Sequence, residues 1–266
     1  MTNPPVAPNR DLGQHFLVDD NVLGVIGRLA ELAPDDVVLE VGPGLGVLTT
    51  YLAGRVRYVH AVELDRALRP PLAERLAAFS NVALRFEDAL ALDPATLEPP
   101  PSKLVSNLPY NVATPIVVES LDGLPTVAHW CVMVQREVAD RFFATPSSKA
   151  YGAVSVLVQL VARRTGVRPV SPSVFRPRPS VESALVAFRR IAMPPAYPAV
   201  KRVVAAAFAH RRKTLVNSLE LAAHAPREKT LAALAALGEP ADVRAEALPP
   251  DAFVRLTAGL EDLEHA

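Results

Sequence analysis

The chain contains one cysteine, Cys131, among 266 residues, which excludes an internal disulfide and a cysteine-based zinc site. No apolar run approaches the roughly 18 residues of a membrane helix. The run at 153–162 is among the longest, and it includes Ser155 and Gln159. The amino terminus lacks the basic start and apolar stretch of a signal peptide. Half of the residues are apolar. These features predict a globular, cytoplasmic protein with no membrane partner.

The chain also lacks net charge, but its charges are distributed unevenly. The segment 131–215 holds fifteen Lys or Arg residues and only three acids, so its net charge is +12 and that of the remainder is −12. Coding bias can explain why only five of the 28 basic residues are lysine. Such a bias would not remove acids from one third of the chain. The imbalance therefore predicts a positive face that binds a nucleic-acid backbone.

Short apolar segments alternate with amphipathic ones over the first two thirds of the chain, which is typical of a doubly wound α/β sheet. Ligands of such sheets bind at the carboxyl ends of the strands. The patterns predict strands at 37–42, 57–64, 82–86, 103–108, 129–135, 165–169 and 183–189, and helices at 19–32, 47–53, 67–78, 115–121, 137–143 and 151–161.

After Pro194-Pro195 the pattern changes to alanine- and leucine-rich helices, predicted at 200–210, 214–223, 228–237 and 250–260. We therefore predict a catalytic domain at 1–194 with a Rossmann-like sheet. A smaller, all-helical RNA-binding domain, which holds the substrate, is predicted at 195–266.

The stretch Ser106-Asn107-Leu108-Pro109-Tyr110 follows a predicted buried strand, which Pro109 cannot continue. An amide oxygen and a nearby backbone carbonyl can accept both hydrogens of an amino group, while an aromatic ring stacks on a planar base. This stretch can therefore hold an exocyclic amine for methylation, through Asn107, the Leu108 carbonyl and Tyr110. A polar turn after a strand is the alternative.

A glycine turn follows the first predicted strand of the sheet, with glycines at 42, 44 and 46. A dinucleotide fingerprint needs its third glycine where this chain has Val47. The pattern matches S-adenosylmethionine sites better, in which Gly42 and Gly44 let the backbone approach the amino-acid end of the cofactor. A simple glycine turn is the alternative.

Two acids end the next predicted strands at the same edge of the sheet. Glu63 can accept both ribose hydroxyls of a nucleoside cofactor, and Asp88 can accept the adenine amino group. Glu40 can favour cationic ammonium and sulfonium groups or can have a structural role in the turn. Two acids at this spacing strengthen the prediction of S-adenosylmethionine as cofactor.

With these motifs in place, the chain resembles the small-subunit (16S) ribosomal RNA adenine dimethyltransferase family (KsgA/RsmA). The resemblance covers roughly residues 10 to 260 in order. It is carried by L-G-Q-H-F-L at 12–17, L-E-V-G-P-G-L-G-V-L-T at 39–49, V-E-L-D at 62–65, E-D-A-L at 87–90, N-L-P-Y-N-V-A-T-P at 107–115, M-V-Q-R-E-V-A-D-R at 133–141, Y-G-A-V-S-V-L-V-Q at 151–159, P-S-V-F-R-P-R-P-S-V-E-S-A-L-V at 172–186 and R-R-K-T-L-V-N-S-L at 211–219.

The resemblance implies dimethylation of two adjacent adenines in a hairpin loop near the 3′ end of the small-subunit RNA, linked to ribosome maturation. It places His15 and Leu17 in an amino-terminal segment that closes over the cofactor. His15 stands where the family often has asparagine. The remaining cofactor contacts that it implies are Gly42, Glu63, Asp88 and Asn107.

Tyr110 would stack on the flipped adenine, and Phe175 is a candidate for the opposite face or, alternatively, for a core position. Arg211, Arg212 and Lys213, with Arg163, Arg164, Arg168, Arg176 and Arg178, are candidates for phosphate contacts, with a solvated charged face as the alternative. We expect no bound metal, and we expect the protein to be a monomer.

Two rival interpretations stay open. A large-subunit ribosomal RNA adenine methyltransferase of the macrolide-resistance type would share the fold and the chemistry. A non-catalytic RNA-binding assembly factor could retain the fold alone. A DNA or protein-glutamine methyltransferase is disfavoured because those enzymes resemble N-P-P-Y rather than N-L-P-Y.

Overall fold

The computed structural model describes residues 13–260. The strands are β1 (Phe16–Leu17), β2 (Val37–Val41), β3 (Tyr58–Glu63), β4 (Val82–Phe86), β5 (Lys103–Asn107), β6 (His129–Gln135), β7 (Ala162–Val170), β8 (Phe175–Arg176) and β9 (Ser183–Arg190). The helices are α1 (Asp20–Leu29), α2 (Val47–Ala53), α3 (Arg69–Leu76), α4 (Ala113–Gly123), α5 (Arg136–Phe142), α6 (Ala153–Val161), α7 (Tyr197–Ala209), α8 (Leu215–Ala223), α9 (Arg227–Leu237) and α10 (Pro250–Leu260).

Seven strands form one sheet in the order β4-β3-β2-β5-β6-β9-β7. The pairs from β4 through β6 are parallel, and β9 runs antiparallel to β6. The carboxyl ends of β2, β3, β4 and β5 therefore meet at one edge, where the chain carries its glycine turn, its acids and Asn107. The predicted Rossmann-like fold class is confirmed.

The core of the sheet forms because its central strands are apolar on both faces. Asp19 caps the amino end of helix α1, where its side chain accepts from the Asn21 N–H. The helix buries Leu23 and Ile26 against this core. Cys131 lies in the same cluster, and burial raises the pKa of its thiol to about 12. Cys131 is therefore a core residue.

The described residues divide into two compact units. The first comprises the described residues up to Ala139 with Arg164–Arg190, and the second comprises Asp140–Arg163 with the described residues from Ile191 on. In the second unit α7 packs on α8 and α9 on α10, and the buried Tyr151 hydroxyl donates to the Leu248 carbonyl at 2.7 Å. The assignment of a catalytic domain to 1–194 and a substrate domain to 195–266 stays a prediction.

A two-stranded ribbon was not expected from the sequence. Strands β1 and β8 pair antiparallel, with Leu17 opposite Phe175. Each strand is only two residues long and the partners are distant in the sequence, so neither has a periodicity that a pattern can detect. No helix within residues 13–260 is long and apolar enough to cross a membrane.

Candidate active site

The first unit contains a cavity of about 150 Å³ at the carboxyl edge of the sheet. Its walls come from four places in the sequence that the strand order brings together. These are the amino-terminal segment 13–17, the turn after β2, the ends of β3 and β4, and the turn after β5. The sequence-predicted residues that line it are His15, Leu17, Gly42, Gly44, Glu63, Asp88, Asn107, Leu108 and Tyr110.

The glycine turn needs glycine for both conformation and space. Gly42 has φ 74° and donates its N–H to the Val62 carbonyl at 2.9 Å. A Cβ at Gly42 would lie 3.1 Å from Pro109 Cδ, and one at Gly44 would lie 2.9 Å from Phe16 Cδ1. The turn after β2 is thus packed directly against the turn after β5 and against the amino-terminal segment.

The Glu63 carboxylate at the end of β3 holds the glycine turn in place. Its Oε2 accepts from the Gly44 N–H at 3.1 Å, and its Oε1 accepts from the Asp65 N–H at 2.9 Å. Burial raises the pKa of this carboxyl, although the two backbone donors oppose the effect. A carboxylate oxygen has more than one lone pair, so both oxygens can still accept hydroxyls of a ligand.

Glu40 lies on β2, two residues before Gly42. Its side chain is buried, with 1% of the residue exposed, and it lines the same cavity. Its Oε2 has no hydrogen-bond partner within residues 13–260. Burial raises the pKa of Glu40 to about 8, and the nearby Glu63 carboxylate adds to this, while Thr49 opposes it. At neutral pH the carboxyl is therefore protonated, and a cationic group bound beside it would favour its charged form.

The third acid is more open. Asp88 is exposed, and its Oδ1 accepts from the Leu90 N–H at 2.9 Å, which leaves Oδ2 for a ligand donor. Leu64 and Leu90, at 53% and 44% exposure, line the cavity beside these acids. S-adenosylmethionine combines a cationic centre, ribose hydroxyls and an adenine, so this set of carboxylates and apolar side chains fits it.

Asn107 and Tyr110 sit where β5 ends. The Leu108 N–H donates to the Met133 carbonyl at 3.0 Å, so the chain leaves the sheet only after this residue. Asn107 Nδ2 donates to the His15 carbonyl at 3.1 Å, and this bond leaves Asn107 Oδ1 to serve as an acceptor. The half-buried Tyr110 hydroxyl lies 2.5 Å from Ser183 Oγ, and burial raises the Tyr110 pKa.

The amino-terminal segment joins both halves of the site. Gln14 Nε2 donates to Asp65 Oδ2 at 2.9 Å, next to Glu63. The His15 ring lies 5.3 Å from the Tyr110 ring, tilted by 33°, and its Nδ1 donates to the Pro177 carbonyl at 2.8 Å. The sequence motif at 12–17 indicated the segment but not these bonds. Leu12 lies outside the described residues.

The structure does not bring Phe175 to the cavity. Its ring is fully buried in the core of the first unit, and its backbone pairs with Leu17. Phe175 therefore cannot stack on a base in this conformation, and the core position is the alternative that fits. Ser183 is the residue near Tyr110 that sequence reasoning missed, because an isolated serine at the start of a strand carries no distinguishing signal.

The basic triplet Arg211, Arg212 and Lys213 lies in the second unit, directly after α7, and all three residues are exposed. The Arg211 guanidinium also donates to the Tyr151 carbonyl at 2.9 Å and lies 3.7 Å from the Glu246 carboxylate. Arg211 is thus partly occupied by contacts within its unit. Arg212 and Lys213 are the better candidates for phosphate contacts.

Comparison with known proteins identifies relatives along nearly the full length. The family model for ribosomal RNA adenine dimethylase matches residues 7–257. A protein from Rubrobacter xylanophilus named ribosomal RNA small subunit methyltransferase A is 47% identical over 251 residues, covering 94% of both chains. One of the same name from Acidothermus cellulolyticus is 44% identical, covering 94% of this chain and 88% of its own.

Two solved structures have a similar fold. A dimethyladenosine transferase from Plasmodium falciparum superposes with a TM-score of 0.79 at 22% identity, covering 94% of this chain and 98% of its own. The 23S rRNA methyltransferase ErmE superposes with a TM-score of 0.67 at 30% identity, covering 92% of this chain and 99% of its own. The first of these likenesses concerns the fold alone.

Proposed function

The chain belongs to the ribosomal RNA adenine dimethylase family, and we propose that it dimethylates adenine N6 at two adjacent adenines of small-subunit ribosomal RNA. The adenines lie in a hairpin loop near the 3′ end of that RNA. S-adenosylmethionine is the methyl donor. The relatives named small subunit methyltransferase A support the choice of subunit.

One observation carries this proposal. The glycine turn, the carboxylates of Glu63 and Asp88, and the Asn107–Tyr110 turn all line a single cavity. The glycine turn and the two carboxylates suit a nucleoside cofactor with a cationic centre, and the Asn107–Tyr110 turn suits a planar base with an amino group. A cavity with both sets of groups supports transfer between a cofactor and a base.

The protein contributes orientation rather than acid–base chemistry. Asn107 Oδ1 and the Leu108 carbonyl accept the two hydrogens of the adenine amino group, and Tyr110 stacks on the ring. This directs the nitrogen lone pair, which is delocalised into the base, toward the methyl group. When bound, S-adenosylmethionine would supply a sulfonium methyl as the electrophile and leave as S-adenosylhomocysteine, and the proton of the methylated nitrogen would pass to solvent. Orientation and exclusion of water supply the rate enhancement.

The experiment for this function uses small and large ribosomal subunits from a strain that lacks the modification. Incubation with labelled S-adenosylmethionine, nuclease digestion and mass mapping should yield N6,N6-dimethyladenine at two adjacent positions of the small-subunit RNA. Tyr110→Ala should abolish the product while cofactor binding persists. Absence of methyl transfer despite cofactor binding in the wild type would support a non-catalytic assembly factor instead.

Large-subunit methylation is the second candidate, since the 23S rRNA methyltransferase ErmE is 30% identical over 92% of this chain. The higher identity of the small-subunit enzymes favours the first candidate. The mapping experiment separates the two directly. Label that appears only in the large subunit would replace our proposal by this one.

The helical region is proposed to hold the RNA, with Arg212 and Lys213 on phosphates. Phosphate contacts position an RNA without reading its sequence, so specificity depends on RNA shape and on the base pocket. We expect the enzyme to act as a cytoplasmic monomer. The domain boundary near residue 195 remains part of this proposal.

Charge reversal tests the RNA contacts. Arg212→Glu with Lys213→Glu should weaken RNA binding and flatten the slope of log affinity against log salt by about two, with S-adenosylmethionine binding unchanged. Arg255→Glu makes the same change where the arginine is paired with Asp251 at 3.0 Å, and it serves as the control. RNA affinity that stays unchanged at every salt concentration would contradict the assignment.

A further inference from the structure

Tyr110 needs a fixed ring orientation if it is to stack on a base beside Asn107. The residue lies in the turn between β5 and α4, outside both elements. Its hydroxyl lies 2.5 Å from Ser183 Oγ. The His15 ring lies against it at 5.3 Å.

We propose that Ser183 is a positioning residue for the reaction, which holds the Tyr110 ring in the orientation that stacks on the target adenine. This inference rests on the proposed function. Ser183 acts through Tyr110 and does not line the cavity.

The placement of Ser183 makes it a rigid anchor. It is the first residue of β9, is paired with Gln135 of β6, and has no exposed surface. A serine hydroxyl held in a sheet loses little further entropy when it forms a hydrogen bond. The phenol has a raised pKa and therefore stays protonated, so either hydroxyl can donate in this contact.

His15 links Tyr110 to Asn107. His15 contacts the Tyr110 ring with its side chain and accepts from Asn107 Nδ2 with its carbonyl. Ser183 fixes the tyrosine at its hydroxyl end, so the two base-holding groups are supported from both sides. Loss of the serine hydroxyl should let the ring tilt without moving the amide.

The test is a double-mutant cycle in single-turnover methyl transfer, with Ser183→Ala, Tyr110→Phe and both together. Each single change removes one half of the same hydrogen bond. We expect each to slow transfer roughly 5- to 10-fold, and the double variant to be no slower than the singles. The KM for RNA and the affinity for S-adenosylmethionine should stay at wild-type values.

Ser120→Ala is the matched control. Ser120 is also a buried serine, accepts from Trp130 Nε1 at 2.8 Å, and does not line the cavity. Its loss should lower the melting temperature without changing the rate of transfer. This comparison separates a positioning effect from a loss of stability.

Three outcomes would overturn the proposal. These are a wild-type rate in Ser183→Ala, additive effects in the double variant, and a slow rate that Ser120→Ala reproduces at equal loss of stability. Absence of methyl transfer in the wild-type enzyme would instead refute the proposed function, so the two failures can be told apart.

Discussion

Replacing Glu40 with glutamine should make the protein more stable at alkaline pH. The carboxyl is buried on β2, and its Oε2 has no hydrogen-bond partner within residues 13–260. Burial, together with the nearby charge of Glu63, raises its pKa from 4.5 to about 8. Glutamine has nearly the same shape and cannot ionise, so it isolates the effect of the charge.

The sign and size of the effect follow from proton binding. Between pH 4.5 and about 8 the native carboxyl keeps a proton that the unfolded chain has released. The stability contributed by this group is therefore complete below pH 4.5 and is lost as the pH rises through 8. At about 1.4 kcal/mol per pH unit, the loss is about 5 kcal/mol in a dry cavity, and on the order of 2–5 kcal/mol when water enters.

The assay is urea unfolding of the wild type and Glu40→Gln between pH 5 and pH 8. The advantage of the variant over the wild type should grow with pH. Glu74→Gln, the same change at an exposed position on α3, should follow the wild type throughout. A constant difference between Glu40→Gln and wild type at every pH would refute the reasoning, whatever its absolute value.

Two further predictions concern the glycine turn and the opposite edge of the sheet. Gly42→Ala should cost about 1–2 kcal/mol of stability through its positive φ and should slow methyl transfer, because the new Cβ would press on Pro109. Gly24→Ala, in the open middle of α1, should instead stabilise the protein by about 0.5–1 kcal/mol. Equal changes in the free energy of unfolding for the two variants, measured in urea, would contradict this. Burial, then the charges of Arg189 and Lys103, lowers the pKa of His129 to about 4. The native state therefore loses stability as the pH falls from 6.5 toward 4, and His129→Gln should reduce that acid sensitivity in the same assay.

The fold could be predicted from sequence because its main elements have strong local patterns. The strands at 82–86 and 129–135 and the helix at 47–53 have the predicted bounds. Apolar runs of this length, separated by turn residues and amphipathic helices, allow few arrangements other than a parallel sheet. The positions of Asn107, Glu63 and Asp88 at one edge follow from that arrangement, since each ends or follows a parallel strand.

The contacts that orient the site could not be predicted in this way. The bond from Asn107 to the His15 carbonyl and the contact between Tyr110 and Ser183 join residues far apart in the chain. No periodicity or motif specifies such a pair, because it depends on how separate elements pack. The choice between the two positions predicted for Phe175 could not be made for the same reason, since a loop motif does not reveal whether its aromatic ring faces a cavity or the core.

The chain's residue pattern alone thus predicted a doubly wound sheet and the set of side chains at its edge, because hydrophobic periodicity and turn residues specify where each strand ends. The motifs that it shares with the family implied the cofactor and the methyl transfer. The tertiary structure decided which of these side chains line the cavity, which are held by neighbours, and that Glu40 Oε2 is buried with no hydrogen-bond partner among residues 13–260. Burial and hydrogen bonding depend on the whole packed neighbourhood of an atom, and no single segment contains that information.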